Sequence, residues 1–103
     1  MINYNQDSFG QKLRVNFRQD VSTATAYTLE MQPESGETVE KVPALGTVDV
    51  DVGDETFLAN QYVEYTIEEN VFDDYAGRWR AKAIATLPTE TISTNYMFFG
   101  VLD

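Results

Sequence analysis

The sequence predicts a single all-β domain, a sandwich or barrel of about seven short strands. Three observations carry this expectation. Apolar and polar residues alternate at period two through most of the chain, and no stretch holds a helical stripe. Turn residues recur at about 8–12-residue spacing, as they do in sandwiches and barrels. The 103 residues are 43% hydrophobic and 13% aromatic, which is enough for a packed core without disulfides.

Residues 1–10 are read as an N-terminal arm to one domain spanning 1–103. Residues 12–18, Lys-Leu-Arg-Val-Asn-Phe-Arg, put Leu13, Val15 and Phe17 on one face, a half-buried strand. The polar stretch 19–25 is a connection. Residues 26–32 alternate again, with Tyr27, Leu29 and Met31 inward. Pro33-Glu34-Ser35-Gly36 is a turn, because proline presets φ and glycine accepts positive φ. Residues 37–42 form a short strand with Val39 as its apolar contact, and Pro43-Ala44-Leu45-Gly46 bends the chain. Thr47 to Val52 reads as a strand with Val48, Val50 and Val52 inward, and 55–60 cross between layers. Gln61 to Glu68 is a strand with Val63, Tyr65 and Ile67 inward, followed by a corner at 69–76. Arg78 to Thr86 places Trp79, Ala81, Ala83 and Ala85 on one face, opposite Arg78, Arg80 and Lys82. Trp79 is expected in the core, the alanines leaving room for Phe17, Leu29 and Tyr65. A connection at 87–90 leads to the last strand, Ile92 to Leu102.

Composition excludes much chemistry. The chain has no cysteine, hence no disulfide, thiolate nucleophile or cysteine-bearing metal site. It has no histidine, hence no imidazole base or His-ligated metal. With 17 acids against 7 bases the formal net charge is −10, which disfavours nucleic acid and anionic membrane as partners. The first residues show no basic region followed by an apolar stretch, so no secretory leader is expected. The lack of cysteine suits synthesis in a reducing cytoplasm. No cofactor is expected.

The segment Asp74-Tyr75-Ala76-Gly77-Arg78-Trp79-Arg80-Ala81 resembles the corner before the sixth strand of immunoglobulin-like domains. Trp79 stands where the corner tyrosine would be, and Ala81 where antibody-type domains carry their second cysteine. Together with Leu-Arg-Val-Asn-Phe-Arg-Gln-Asp from Leu13, the hairpin Glu30 to Glu37 and the closing run Ile92 to Asp103, the layout resembles immunoglobulin-like domains of bacteriophage virions. Residues 12–102 carry the likeness, nearest to the N-terminal domain of upper-baseplate proteins. The free-standing size also resembles capsid decoration proteins. The resemblance implies an immunoglobulin-like antiparallel β-sandwich of about seven strands. It implies a non-enzymatic structural protein, made in the host cytoplasm and attached to the virion. There it would serve as capsid decoration or cement, or as a tail or baseplate adaptor, that stabilises or connects parts. Its partners would be other virion proteins, with a homo-oligomer by symmetry. The alternative is a carbohydrate- or calcium-binding β-sandwich module, and the third reading is a small Asp/Glu hydrolase.

Candidate residues fall into four groups. Asp49, Asp51, Asp54 and Glu55 cluster hard oxygens suited to Ca²⁺, against a solvated acidic face that blunts an edge strand. Glu68, Glu69, Asp73 and Asp74 form a second acidic cluster at the corner. Two basic stripes, Arg78–Arg80–Lys82 and Lys12–Arg14–Arg18, would meet an acidic partner or this chain's own acids. The last strand is apolar on both faces, with Tyr96, Phe98 and Leu102 on one side and Met97, Phe99 and Val101 on the other. One side must then be covered, either by a partner or by residues 1–10 with Tyr4 and Phe9 as lid. Ile84 faces outward on the neighbouring strand and points to the same contact region. Charge is unevenly spread: residues 19–77 hold 14 acids and one base, framed by two basic strand faces.

Overall fold

The computed structural model describes residues 2–6, 8–68, 71–72 and 76–103, with Ile2 described by its backbone alone. Among them are eleven strands and no helix. In chain order they are β1 (Ile2–Asn5), β2 (Lys12–Asn16), β3 (Ala26–Pro33), β4 (Val39–Lys41), β5 (Ala44–Leu45) and β6 (Val50–Val52). Then come β7 (Glu55–Phe57), β8 (Tyr62–Thr66), β9 (Gly77–Thr86), β10 (Thr91–Ser93) and β11 (Met97–Leu102). One sheet runs β1-β11-β9-β3-β4, with β10 also on β9; a second runs β2-β8-β5; β6 and β7 form a separate hairpin. The fold is all-β and sandwich-like, as period-two alternation requires.

The core between the sheets follows the alternation closely. Leu13, Val15 and Phe17 enter it from β2 and its end, Leu29 and Met31 from β3, and Val63, Tyr65 and Ile67 from β8 and its end. Strand β9 is the hub, pairing with β3, β10 and β11, and its Trp79, Ala81, Ala83 and Ala85 are all buried. Small side chains at three of these positions let β2 pack across the layer against β9. Gly77 starts the strand at φ +120°, a backbone region only glycine occupies without strain.

Four expectations are corrected. The first residues are not a lid. Residues Ile2–Asn5 form β1, which pairs in parallel with β11, so the sheets are not wholly antiparallel. Tyr4 turns into the core, and Phe9 is 68% exposed. Secondly, Val48 and Val52 are exposed and Val50 only half-buried. The alternation at 47–52 is real, but Val50–Val52 pairs with Glu55–Phe57 in the outlying hairpin, so its faces miss the core. Residues 55–57, expected as a crossing, are therefore a strand. Thirdly, Phe17, Leu29 and Tyr65 do share the core with Trp79 and the alanines, but Phe72 and Phe99, which were not expected there, stand against the indole, Phe72 edge-on at 5.2 Å and Phe99 stacked at 6.0 Å. Tyr4 joins them, 5.6 Å from Phe99 and 5.7 Å from Phe72.

The fourth correction concerns the last strand, which is broken. Ser93 lies opposite Ile84 and Met97 opposite Ala81, so residues 94–96 face only 82 and 83. This one-residue excess is a β-bulge, which reverses the facing parity. Ile92 packs toward the core before it; Met97, Phe99 and Val101 do so after it. Thr94 closes the bulge, its N–H donating to Ala83 O and its Oγ1 accepting from Ala83 N, both at 3.0 Å.

A second, smaller core lies on the reverse face of β8. Tyr62 is 1% exposed there, its ring edge-on to Phe57 at 5.4 Å and its hydroxyl donating to Val48 O at 2.8 Å. Gly46 backs directly onto that ring, leaving no room for a side chain. This contact ties the β6–β7 hairpin to the second sheet.

Candidate functional site

The bulge in the last strand decides what the outer face of the first sheet presents. Beyond it, even-numbered residues of β11 point away from the core, so Tyr96, Phe98 and Leu102 are 41%, 45% and 52% exposed. On β9 beside them Arg80 lies opposite Phe98 and Arg78 opposite Gly100, and Lys82, the next outward residue, lies opposite the bulge. Sequence alternation thus foresaw both the aromatic row and the basic row. The pairing register places them on one surface, where they interleave.

The Arg78 guanidinium lies 4.5 Å over the Phe98 ring. The Arg80 guanidinium lies 4.2 Å over Tyr96, and Lys82 Nζ is 5.1 Å from the same ring. Along the face the order is Arg78, Phe98, Arg80, Tyr96, Lys82. Each ring offers its negative π-face to a cation, a contact worth about 0.5–1 kcal/mol at exposed positions. Strand β3 supplies the other flank. Gln32 Oε1 accepts from Arg80 Nε at 3.2 Å and from Nη2 at 2.8 Å, while Glu30 pairs with Lys82 at 3.7 Å. Among the described residues, neither Arg78 nor Arg80 has a carboxylate within ion-pair distance. Gln32, Pro33, Glu34, Arg78, Trp79, Arg80 and Phe98 line an open cleft of about 410 Å³ at this end of the face. Ile84 is half-buried on the same side, opposite Thr28 and Ser93, well along the strand from the cleft.

The second basic stripe behaves differently. It lies on β2, in the other sheet, and its members have partners within this chain. Arg14 pairs with Glu64 and Arg18 with Glu55, both at 3.2 Å, and Lys12 donates to Thr66 Oγ1 at 2.6 Å. Cross-strand pairing with β8 accounts for Lys12 and Arg14, while Arg18, past the end of β2, reaches Glu55 on the outlying hairpin, and none of the three joins the β9–β11 face.

The acidic clusters are dispersed rather than convergent. Asp49 Oδ1 accepts from Ala59 N at 2.8 Å, and Asp51 Oδ1 from Thr56 Oγ1 at 2.7 Å. Glu55 turns to Arg18 and Asn16. Among the described residues no three carboxylates come together in a way that could hold a metal ion. Glu69, Asp73 and Asp74 lie outside the described residues.

Glu68 accepts a hydrogen bond from Tyr65 at 2.7 Å and lies 3.5 Å from Lys41. The Tyr65 hydroxyl first, and then Lys41, hold its carboxyl below the usual 4.5. Burial, and then the neighbouring carboxylate, push the Tyr65 phenol above its ordinary range. A carboxyl whose folded pKa is depressed stabilises the fold above its unfolded pKa, and that contribution is lost as pH falls through the folded value. Thermal melting between about pH 6 and pH 3 should therefore show a smaller acid-side loss for Glu68→Gln than for the parent chain. Identical acid-side curves would show that this carboxylate adds nothing.

No protein-family model matches the chain, and no curated protein matches it.

Proposed function

We propose that this chain is a non-enzymatic docking domain of a bacteriophage particle, which attaches to a neighbouring virion protein through the outer face of β9 and β11. The observation that carries the reading is the interleaved row of cations and exposed aromatic rings on the two strands. Aromatic and arginine side chains dominate interface energetics, because rings bury large area at small entropic cost and arginine offers a planar fork of donors. The face belongs to two interior strands of the sheet, and its exposed rings suit contact with another surface. The phage assignment rests on the likeness of residues 12–102 to virion immunoglobulin-like domains. Strand placement suits the immunoglobulin-like part of that likeness. β11, β9, β3 and β4 share one sheet and β2, β8 and β5 the other, the division used by immunoglobulin-type sandwiches. The calcium-dependent alternative has less support, because its four carboxylates serve separate local partners or none.

Mass spectrometry of purified particles tests this reading. The chain should be present in the parent virion, and Phe98→Ser should release it while the soluble domain keeps its melting temperature. Raising salt should weaken attachment, because exposed charges separated by more than about 8 Å are screened at physiological ionic strength. Absence from the particle would end the proposal. Salt-insensitive retention would assign attachment to the rings alone.

A further inference from the structure

The cleft beside β9 allows the partner's chemistry to be named, and this step rests on the docking role just proposed. We infer that Arg78 and Arg80 form a carboxylate-binding subsite that receives an acidic side chain from an extended segment of the partner protein.

The first argument is the company these arginines keep. In a chain with 17 acids and 7 bases, a guanidinium meets a carboxylate readily. Arg14, Arg18, Lys41 and Lys82 all do so. Lys12 meets a hydroxyl instead, and among the described residues Arg78 and Arg80, adjacent on one face of β9, meet no carboxylate. Arg80 is instead held by a neutral oxygen, that of Gln32, and by the Tyr96 ring. Arg78 lies on Phe98. Neutral partners position a guanidinium without neutralising it, and its remaining donors stay available for an anion. The second argument is shape. Both arginines line the same open cleft of about 410 Å³, whose wall also includes Phe98 and Pro33, so an apolar neighbour of the acidic residue has a surface to cover. The third argument is charge. Glu34 also lines the cleft and, among the described residues, makes no ion pair with either arginine, so the charged residues lining it sum to one positive charge. That surplus matches a single carboxylate better than a phosphate dianion. The net charge of −10 further opposes phosphate-rich polymers.

A capped peptide, (Glu-Gly)₂-Leu-(Gly-Glu)₂, serves as the probe, titrated into isotope-labelled protein at low salt. Saturable shifts of the Arg78 and Arg80 Nε–H resonances are expected. Arg78→Gln or Arg80→Gln should each weaken binding about tenfold, the loss of one charge-assisted hydrogen bond. Gln32→Ala, which leaves every charge in place, should also weaken it by freeing Arg80. The same peptide with glutamine for glutamate should not saturate, and inorganic phosphate should bind less well than the peptide. The inference is overturned if the glutamate peptide gives no saturable shift, if the glutamine peptide binds equally, or if phosphate binds tighter. It is also overturned if the Arg78→Gln/Arg80→Gln double variant loses the peptide yet stays on the particle, a result that leaves the docking role standing. Peptide binding by a protein absent from particles would uphold the subsite and remove the particle assignment.

Discussion

Trp79→Ala is expected to cost about 3–5 kcal/mol of folding stability, the range for truncating a fully buried large aromatic. The indole is 1% exposed and meets Phe72 and Phe99, which in turn hold Tyr4. Removing it leaves a cavity beside the Phe72 and Phe99 rings, with Ala81 as the next inward residue of β9. Alanine side chains cannot move in to fill the space, so little collapse is available to soften the loss. For a domain of this size, the melting temperature should fall by about 4–8 °C per kcal/mol. A typical domain has only about 5–15 kcal/mol in hand, so the variant should sit near the edge of folding. Trp79→Phe, which keeps a ring, should lose clearly less. Denaturant titration of both variants is the check. A loss below about 1 kcal/mol for the alanine variant would place the indole outside the core.

The second large effect comes from adding one methyl group. Gly46→Ala would put a Cβ among the ring atoms Cε1, Cε2 and Cζ of Tyr62. The ring cannot retreat inward, because it is buried against Phe57. The backbone cannot shift freely either, because Gly46 N donates to Tyr62 O at 2.9 Å and Gly46 O accepts from Asn60 N at 2.8 Å. Tyr62 must leave its site, losing its bond to Val48 O and loosening the β6–β7 hairpin. A loss of about 3 kcal/mol, the upper end of ordinary overpacking, is expected. The cause can be isolated by a double-mutant cycle with Tyr62→Leu. In that background Gly46→Ala should cost less than half as much, since the obstructing ring is gone. An equal cost in both backgrounds would point to the backbone instead.

How much of this was legible in the sequence depends on where each side chain's partner lies. Faces on β2, β3, β8 and β9 were readable because alternation is a local property and one face of each of these strands meets the core. Val21 and Phe72, both wholly buried, were not. Val21 stands alone in a polar connection and Phe72 follows only Val71 in another, so no periodicity exists to read. Tyr62 faces away from the alternating set Val63, Tyr65 and Ile67, and only the distant Gly46 and Phe57 make that side a buried one. The valines at 48 and 52 failed for the opposite reason. Their period is that of a strand, but the pattern does not say which sheet the strand joins. At the candidate site, both rows of residues were visible in the sequence and their interleaving was not. It depends on the pairing of Phe98 with Arg80 and on a bulge whose single extra residue carries no compositional mark. Gln32 carried no signal at all, because it is an ordinary outward polar residue until Arg80 stands opposite it.

The parallel pairing of β1 with β11 sets an order of events during synthesis. β1 has its hydrogen-bonding partner in β11, with Tyr4 opposite Val101, so strands from the two ends of this domain must meet. Antiparallel neighbours such as β9 and β10 can zip as soon as their short connection emerges, whereas β1 must wait for nearly the whole chain. Contacts this far apart in sequence close the largest loop and come late in folding. Until then the aromatic cluster lacks Tyr4 and Phe99 together, and the free edge of β9 stays open to other chains. A nascent chain stalled before residue 97 would therefore expose the Gly77–Ala81 stretch of β9 as an unpaired, adhesive edge.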